Sequence, residues 1–289
     1  MVALFPAAMR ATGLVRAWLA RLADLGVVFE SGSPWTGFGA ASEATVLALG
    51  GGSWPLVGGD GSWVAAFQGA GIAVEPLVAS NAGVTVDWSV PLLDRFEGTP
   101  LKNVAVSIGG QTVRGEPTVT ASGFEGGPIY ALGPQIRAAL AAGAATLEID
   151  LQPDLSAADL GRRLVDRRRP KDSLSTWLRR AGLPPVAVAL MREASDNRLP
   201  TEPADLAGLA KALPLSVRGL ASIDRAISSA GGVAATEVDE NGMLRRRPGT
   251  WVAGEMLAWD APTGGYLIQA CLSTGRRAGL AAAGWDASR

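Results

Sequence analysis

Histidine is absent from all 289 residues, and cysteine occurs once, as Cys271. The first absence removes Ser-His-Asp and Cys-His nucleophile pairs, imidazole acid–base work and nearly every ordinary catalytic zinc site. The second removes an intrachain disulfide and a CxxC dithiol, so a cytoplasmic setting fits and an intrinsic redox pair does not. A charge excess is missing too, since 26 Lys and Arg face 27 Asp and Glu for a formal net charge of −1. That balance supplies no field to draw nucleic acid or an acidic membrane surface. Long hydrophobic runs are also lacking. The longest uncharged stretch, residues 44–59, is broken by five glycines and a proline and is too short to span a bilayer. By elimination, a borrowed redox cofactor becomes more plausible; a small-molecule substrate is the expected partner.

What is present reads as an α/β chain. Arg10, Arg16 and Arg21 precede the first acid and mimic a transit peptide, but Leu14, Trp18, Leu22 and Leu25 recur at helical spacing, which favours an amphipathic helix over about 7–25. Strands are expected at 27–29 and 45–49, then a glycine turn at 50–52, a short helix at 62–69 and a strand at 71–74. Their apolar runs suit strands covered on both faces. From 82 to about 151 the period becomes two, in Val84-Thr85-Val86, Val104–Ile108, Val113–Gly115 and Thr146–Ile149, with one helix at 133–142. This predicts a small antiparallel sheet or barrel. Helices follow around 156–166, 172–181, 184–195 and 202–212, with Asp154 and Ser156 as caps. Strands at 215–217 and 226–229 return to the barrel, and 250–253 returns to the α/β sheet.

The expected architecture is therefore a split α/β domain (1–75 and 246–289), an inserted β-barrel-like domain (76–152 and 213–245) and a nested helical subdomain (153–212). A basic run, Arg162-Arg163, Arg167-Arg168-Arg169 and Lys171, is interspersed with Asp159 and Asp166 and reads as a solvated face rather than a nucleic-acid surface. Arg245-Arg246-Arg247 shares the neutral whole-chain balance.

Three glycine-bearing passages carry the chemistry. The first is Thr250-Trp251-Val252-Ala253-Gly254-Glu255, followed by Thr263-Gly264-Gly265-Tyr266-Leu267-Ile268-Gln269. A strand ending in Gly-Glu and a Gly-Gly turn opening a helix make a floor for a planar anionic group, because bare glycines admit close backbone approach and the helix adds a positive dipole end. The second is Ala48-Leu49-Gly50-Gly51-Gly52-Ser53-Trp54-Pro55 with Gly58-Gly59-Asp60-Gly61, at the carboxyl end of a buried strand where open α/β sheets place ligands. Its plain alternative is a tight turn. The third is Ser228-Ser229-Ala230-Gly231-Gly232-Val233, for which a hinge or a bulge is the alternative.

In order and spacing these passages resemble the BaiN/RdsA-type NAD(P)/FAD-dependent oxidoreductases, from the amino-terminal helix to Gly279. The second resembles that family's Ala-Thr-Gly-Gly-x-Ser-x-Pro and Gly-Ser-Asp-Gly passages, with Leu49 for Thr and Gly59 for Ser. The third resembles its Thr-Ala-Gly-Gly-Val. The resemblance implies a split FAD-binding Rossmann-like domain with Gly50, Gly51, Gly254, Glu255, Gly264, Gly265, Tyr266 and Gln269 near FAD, and NAD(P)H as a possible electron donor. Glu255 would accept from ribityl or ribose hydroxyls; a solvated surface acid is its alternative, and a core aromatic is that of Tyr266. No catalytic side chain and no metal ligand is implied. The family's opening strand and Gly-x-Gly-x-x-Gly turn have no counterpart here, so an amino-terminally truncated domain is expected. A flavin-dependent oxidoreductase is the leading expectation, and a non-catalytic remnant or binding module is its rival.

Overall fold

Trp63 and Phe67 stand four residues apart, on one helix face, and that face closes the smaller of two cores. The computed structural model describes residues 7, 9–39 and 44–285. In the smaller core, β1 (Thr45–Leu47) pairs in parallel with β12 (Thr250–Val252), Thr45 opposite Thr250 and Leu47 opposite Val252. Against this pair pack α2 (Trp63–Gly69) and α10 (Tyr266–Ala283). Leu47, Trp63, Phe67, Ile72, Val252 and Met256 are buried together, and the Trp63 and Phe67 rings meet edge-on at 5.1 Å. The Trp63 indole N–H donates to the Gly50 carbonyl at 3.0 Å, so the helix face that fills the core also fixes the glycine turn.

An antiparallel ribbon leads out of this region and back: β2 (Val74–Ser80) against β11 (Ser228–Val233). The register slips between Ala230 and Gly232, and a Cβ on Gly231 would lie 2.1 Å from the Pro76 carbonyl oxygen. The third glycine passage is thus a β-bulge.

The larger core lies beyond the ribbon. One four-stranded antiparallel sheet runs β5 (Gln111–Gly115), β4 (Val104–Ile108), β8 (Ala145–Asp150), β9 (Leu213–Val217). The other runs β10 (Gly219–Leu220), β3 (Val84–Thr85), β7 (Gly123–Glu125), β6 (Thr118–Thr120). A barrel is what the period-two pattern suggests, but no sheet closes on itself among the described residues. Helices supply the cover that closure would have given. Beside α3 (Val90–Phe96), α4 (Gly127–Ala131) and α5 (Gly133–Ala141), the sheets bury their apolar side against α6 (Ala157–Arg167), α7 (Leu174–Arg180), α8 (Pro185–Ala194) and α9 (Pro203–Lys211). Leu147, Ile149, Leu213 and Leu215 from strands join Leu160, Leu164, Leu178 and Leu206 from helices in one continuous cluster.

The four expected helices stand within two residues of their expected ends. Ser156 and Ser173 accept from the N–H groups of Asp159 and Thr176 at 3.1 and 3.2 Å, which satisfies first-turn donors. Asp154 is not a cap; it bonds Asn103 and Arg114 instead. Residues 27–29 form no strand. The amino-terminal helix, α1 (Ala11–Asp24), forms as its spacing predicts but buries none of its residues. No helix among the described residues is long and apolar enough to cross a membrane.

Candidate functional site

Because β1 and β12 run parallel and in register, the Gly50–Gly52 turn and the Gly254–Met256 turn leave the sheet at the same end. Gly51 is where they meet. A Cβ there would lie 1.8 Å from Ser229 Oγ and 2.8 Å from Glu255 Cδ, so only glycine lets the three segments approach. Ser229, delivered by β11, links them. Its hydroxyl accepts from the Gly52 N–H at 3.0 Å and donates to Glu255 Oε1 at 3.1 Å, while its own N–H donates to the same oxygen at 2.8 Å. Glu255 is therefore a half-buried, hydrogen-bonded carboxylate and not a solvated surface acid. Its Oε2 stays outside these bonds.

The Gly58–Gly61 continuation folds back on the same turn. A Cβ on Gly59 would lie 2.2 Å from the Ser53 carbonyl oxygen, and the Ser62 N–H donates to Asp60 Oδ1 at 2.9 Å. That bond holds the exposed Asp60 carboxyl below its ordinary pKa.

Behind Gly254 stands α10. The Gly254 N–H donates to Thr274 Oγ1 at 3.0 Å, and that hydroxyl donates back to the Ala270 carbonyl at 2.7 Å. The Cys271 sulfur lies 3.3 Å from where a Gly254 Cβ would stand. Burial, and after it the negative charge of Glu255, pushes the Cys271 thiol above its ordinary pKa, so it is a poor nucleophile at neutral pH. A cavity of about 470 Å³ borders this contact, lined by Val233, Val252, Gly254, Leu257, Thr274 and Arg277.

Gly264 and Gly265 adopt left-handed backbone at φ 99° and 91°, and a Cβ on either would meet nothing within 4 Å. They present open backbone at the start of an 18-residue helix with no acid in its first turn. The Gln269 N–H closes that turn on the Gly265 carbonyl at 3.1 Å, and its side chain reaches Ser273 at 3.3 Å. Tyr266 is exposed, so it is not a core aromatic.

Of the expected site residues, the hydrogen bonds and close contacts bring Gly50, Gly51, Gly254 and Glu255 together. Gly264, Gly265, Tyr266 and Gln269 line the open start of α10. Ser229, Thr274 and Cys271 escape sequence reasoning. The Ser228-Ser229 pair ahead of the bulge glycines was the available signal for the first. Among the described residues no group of three or more His, Cys, Asp or Glu could hold a metal ion.

The model of the HI0933-like protein Rossmann domain matches residues 2–281. The chain belongs to this family. HI0933-like proteins are an FAD-binding family of oxidoreductase type. The match runs through residues of both cores. FAD is compatible with the residues present: Gly50, Gly264 and Gly265 have left-handed backbone on which a Cβ would meet nothing within 4 Å, and the fixed Glu255 carboxylate stands beside the Gly50–Gly52 turn.

Proposed function

We propose that this HI0933-like chain holds FAD over Gly50–Gly51, Gly254–Glu255 and Gly264–Gly265, as a BaiN/RdsA-type oxidoreductase passing hydride from NAD(P)H to an organic acceptor. Bound FAD supplies the hydride chemistry. The contact at Gly51 carries this reading: two turns from distant parts of the chain are drawn to one end of a parallel pair and locked by Ser229 and Glu255. A lone tight turn needs no such convergence.

The roles of the chain's own residues follow from their bonds. Ser229 occupies Glu255 Oε1, which leaves Oε2 to accept a ribityl or ribose hydroxyl. The backbone N–H groups at Gly264–Gly265 and the positive end of α10 would favour the negative charge of the reduced cofactor, with Tyr266 and Gln269 flanking them. No side chain acts as a proton donor in this scheme. We divide the chain into 1–75 with 246–289 for the cofactor, 76–152 with 213–245 for the sheets, and 153–212 for the helices, in a cytoplasmic enzyme.

Titration of the purified chain with FAD, followed by flavin fluorescence quenching, tests the binding. Addition of NADPH or NADH should then bleach the bound flavin absorbance. Absence of quenching overturns the cofactor site, whereas quenching without bleaching by either nicotinamide favours the non-catalytic binding module.

A further inference from the structure

The inner end of the β2–β11 ribbon carries a group of buried polar residues in a mainly apolar interior: Ser80, Asn81, Ser228 and Ser229 are each at most 6% exposed. Ser229 serves Glu255 and Gly52. Ser80 and Asn81 bond loop 257–265, and Ser228 accepts from Asn81. Asn81, in left-handed backbone at φ 50°, donates its amide to Ser228 Oγ at 2.8 Å and to the Ala261 carbonyl at 2.7 Å. Those two bonds offset the strain of that backbone on a non-glycine residue. The Ser80 hydroxyl donates to Asp260 Oδ1 at 2.5 Å. The other Asp260 oxygen pairs with Arg137 of α5, whose second guanidinium nitrogen donates to the Ala79 carbonyl at 3.1 Å.

A partly buried ion pair adds little net stability, but a guanidinium fork holding a carboxylate and a carbonyl at once is strongly directional. Arg137 and Asp260 are only 19% and 30% exposed, so the fork is shielded on most sides. What it orders is a stretch without regular structure that runs straight into Gly264–Gly265, four residues past Asp260. The anchor comes from the inserted region, not from the cofactor region itself.

We propose that Arg137 and Asp260 are positioning residues of the cofactor site: their ion pair, seated on the Ala79 carbonyl and the Ser80 hydroxyl, fixes loop 257–265 and so places the start of α10, making that placement depend on the docked insert. The consequence for FAD rests on the function proposed above; the ordering of the loop does not.

Hydrogen exchange of the backbone amides at 258–266 in the full chain decides it, measured on wild type, Arg137→Gln, Arg137→Ala and the swapped pair Arg137→Asp with Asp260→Arg. Exchange in this segment should rise roughly tenfold in the single variants, with β4 and β8 still protected, and fall again in the swapped pair. FAD affinity should drop about tenfold in Arg137→Gln, the size of one lost charged hydrogen bond, at unchanged melting temperature. Unchanged exchange at 258–266 in both single variants overturns the proposal, as does a rise spread equally over β4 and β8, which would mark the pair as general scaffold. Wild type that fails to bind FAD overturns the cofactor reading alone, because the exchange pattern still decides what Arg137 orders.

Discussion

Gly51 shows how one missing side chain holds three segments together. Gly51→Ala should cost about 1–3 kcal/mol, the usual range for overpacking a filled site, and should push Ser229 off the Gly52 N–H. Urea unfolding of Gly51→Ala beside Gly50→Ala checks this. The second variant meets no neighbour within 4 Å, so backbone strain of about 1–2 kcal/mol is all it adds; equal losses of stability would refute a contact at Gly51. Cys271 gives a pH test. Its thiol pKa is raised in the folded chain, first by burial and then by Glu255, so the native state holds that proton more tightly than the unfolded state does. This contribution is complete below the ordinary thiol pKa and is lost as pH rises through the raised one. Thermal melts into the alkaline range should therefore fall more steeply for wild type than for Cys271→Ala, and parallel curves would deny the coupling. Glu255 was legible in the sequence because a strand ending in Gly-Glu is a local pattern. Its partner was not, since Ser229 stands 26 residues away and the Ser228-Ser229 pair marks the ribbon without naming the carboxylate it meets.

Helices were the most legible elements, because their signals are local: Ser156 marks a start as expected, and the apolar positions repeat within a turn. Strand partners were less so. Val104–Ile108 and Thr146–Ile149 announced strands, yet Val106 meets Ile149 and Thr146 meets Ser216, partners that no local pattern names, and the same alternation suits an open sheet under helices as well as a barrel. The shared cluster of Leu147, Ile149 and Leu213 with Leu160, Leu164 and Leu178 makes a specific expectation possible. Leu164→Ala should cost about 2–5 kcal/mol, the range for emptying a fully buried leucine site. Sheet and helices should also lose structure together, as read by near-ultraviolet circular dichroism of Trp177 and far-ultraviolet signal in one melt. Two separated transitions would make residues 153–212 a folding unit of their own.

At the scale of the molecule, the order of the glycine passages made the α/β class and an FAD-binding family of oxidoreductase type readable, since each passage sits where a chain reverses or returns. In the basic runs, Arg162 pairs with Asp159, Arg180 with Asp172 at 3.0 Å, and Arg168 covers the Trp177 ring at 4.5 Å. What composition could not reveal is the inequality of the two cores. The cluster around Trp63 and Phe67 is far smaller than the one around the sheets, and the β2–β11 ribbon with its bulge joins them. The proposed cofactor residues sit on the smaller core. Phe67 is fully buried there, with Trp35, Phe38 and Trp63 packed against its ring. Phe67→Ala should therefore cost about 3–5 kcal/mol, and the damage should be uneven. Amides of β1, α2 and β12 should lose protection against hydrogen exchange while those of β4 and β8 keep theirs, because the larger core retains every one of its contacts. FAD quenching should vanish in the same variant. Uniform loss of protection across β1 and β8 would mean instead that the ribbon transmits stability fully, and that the chain folds as one cooperative body.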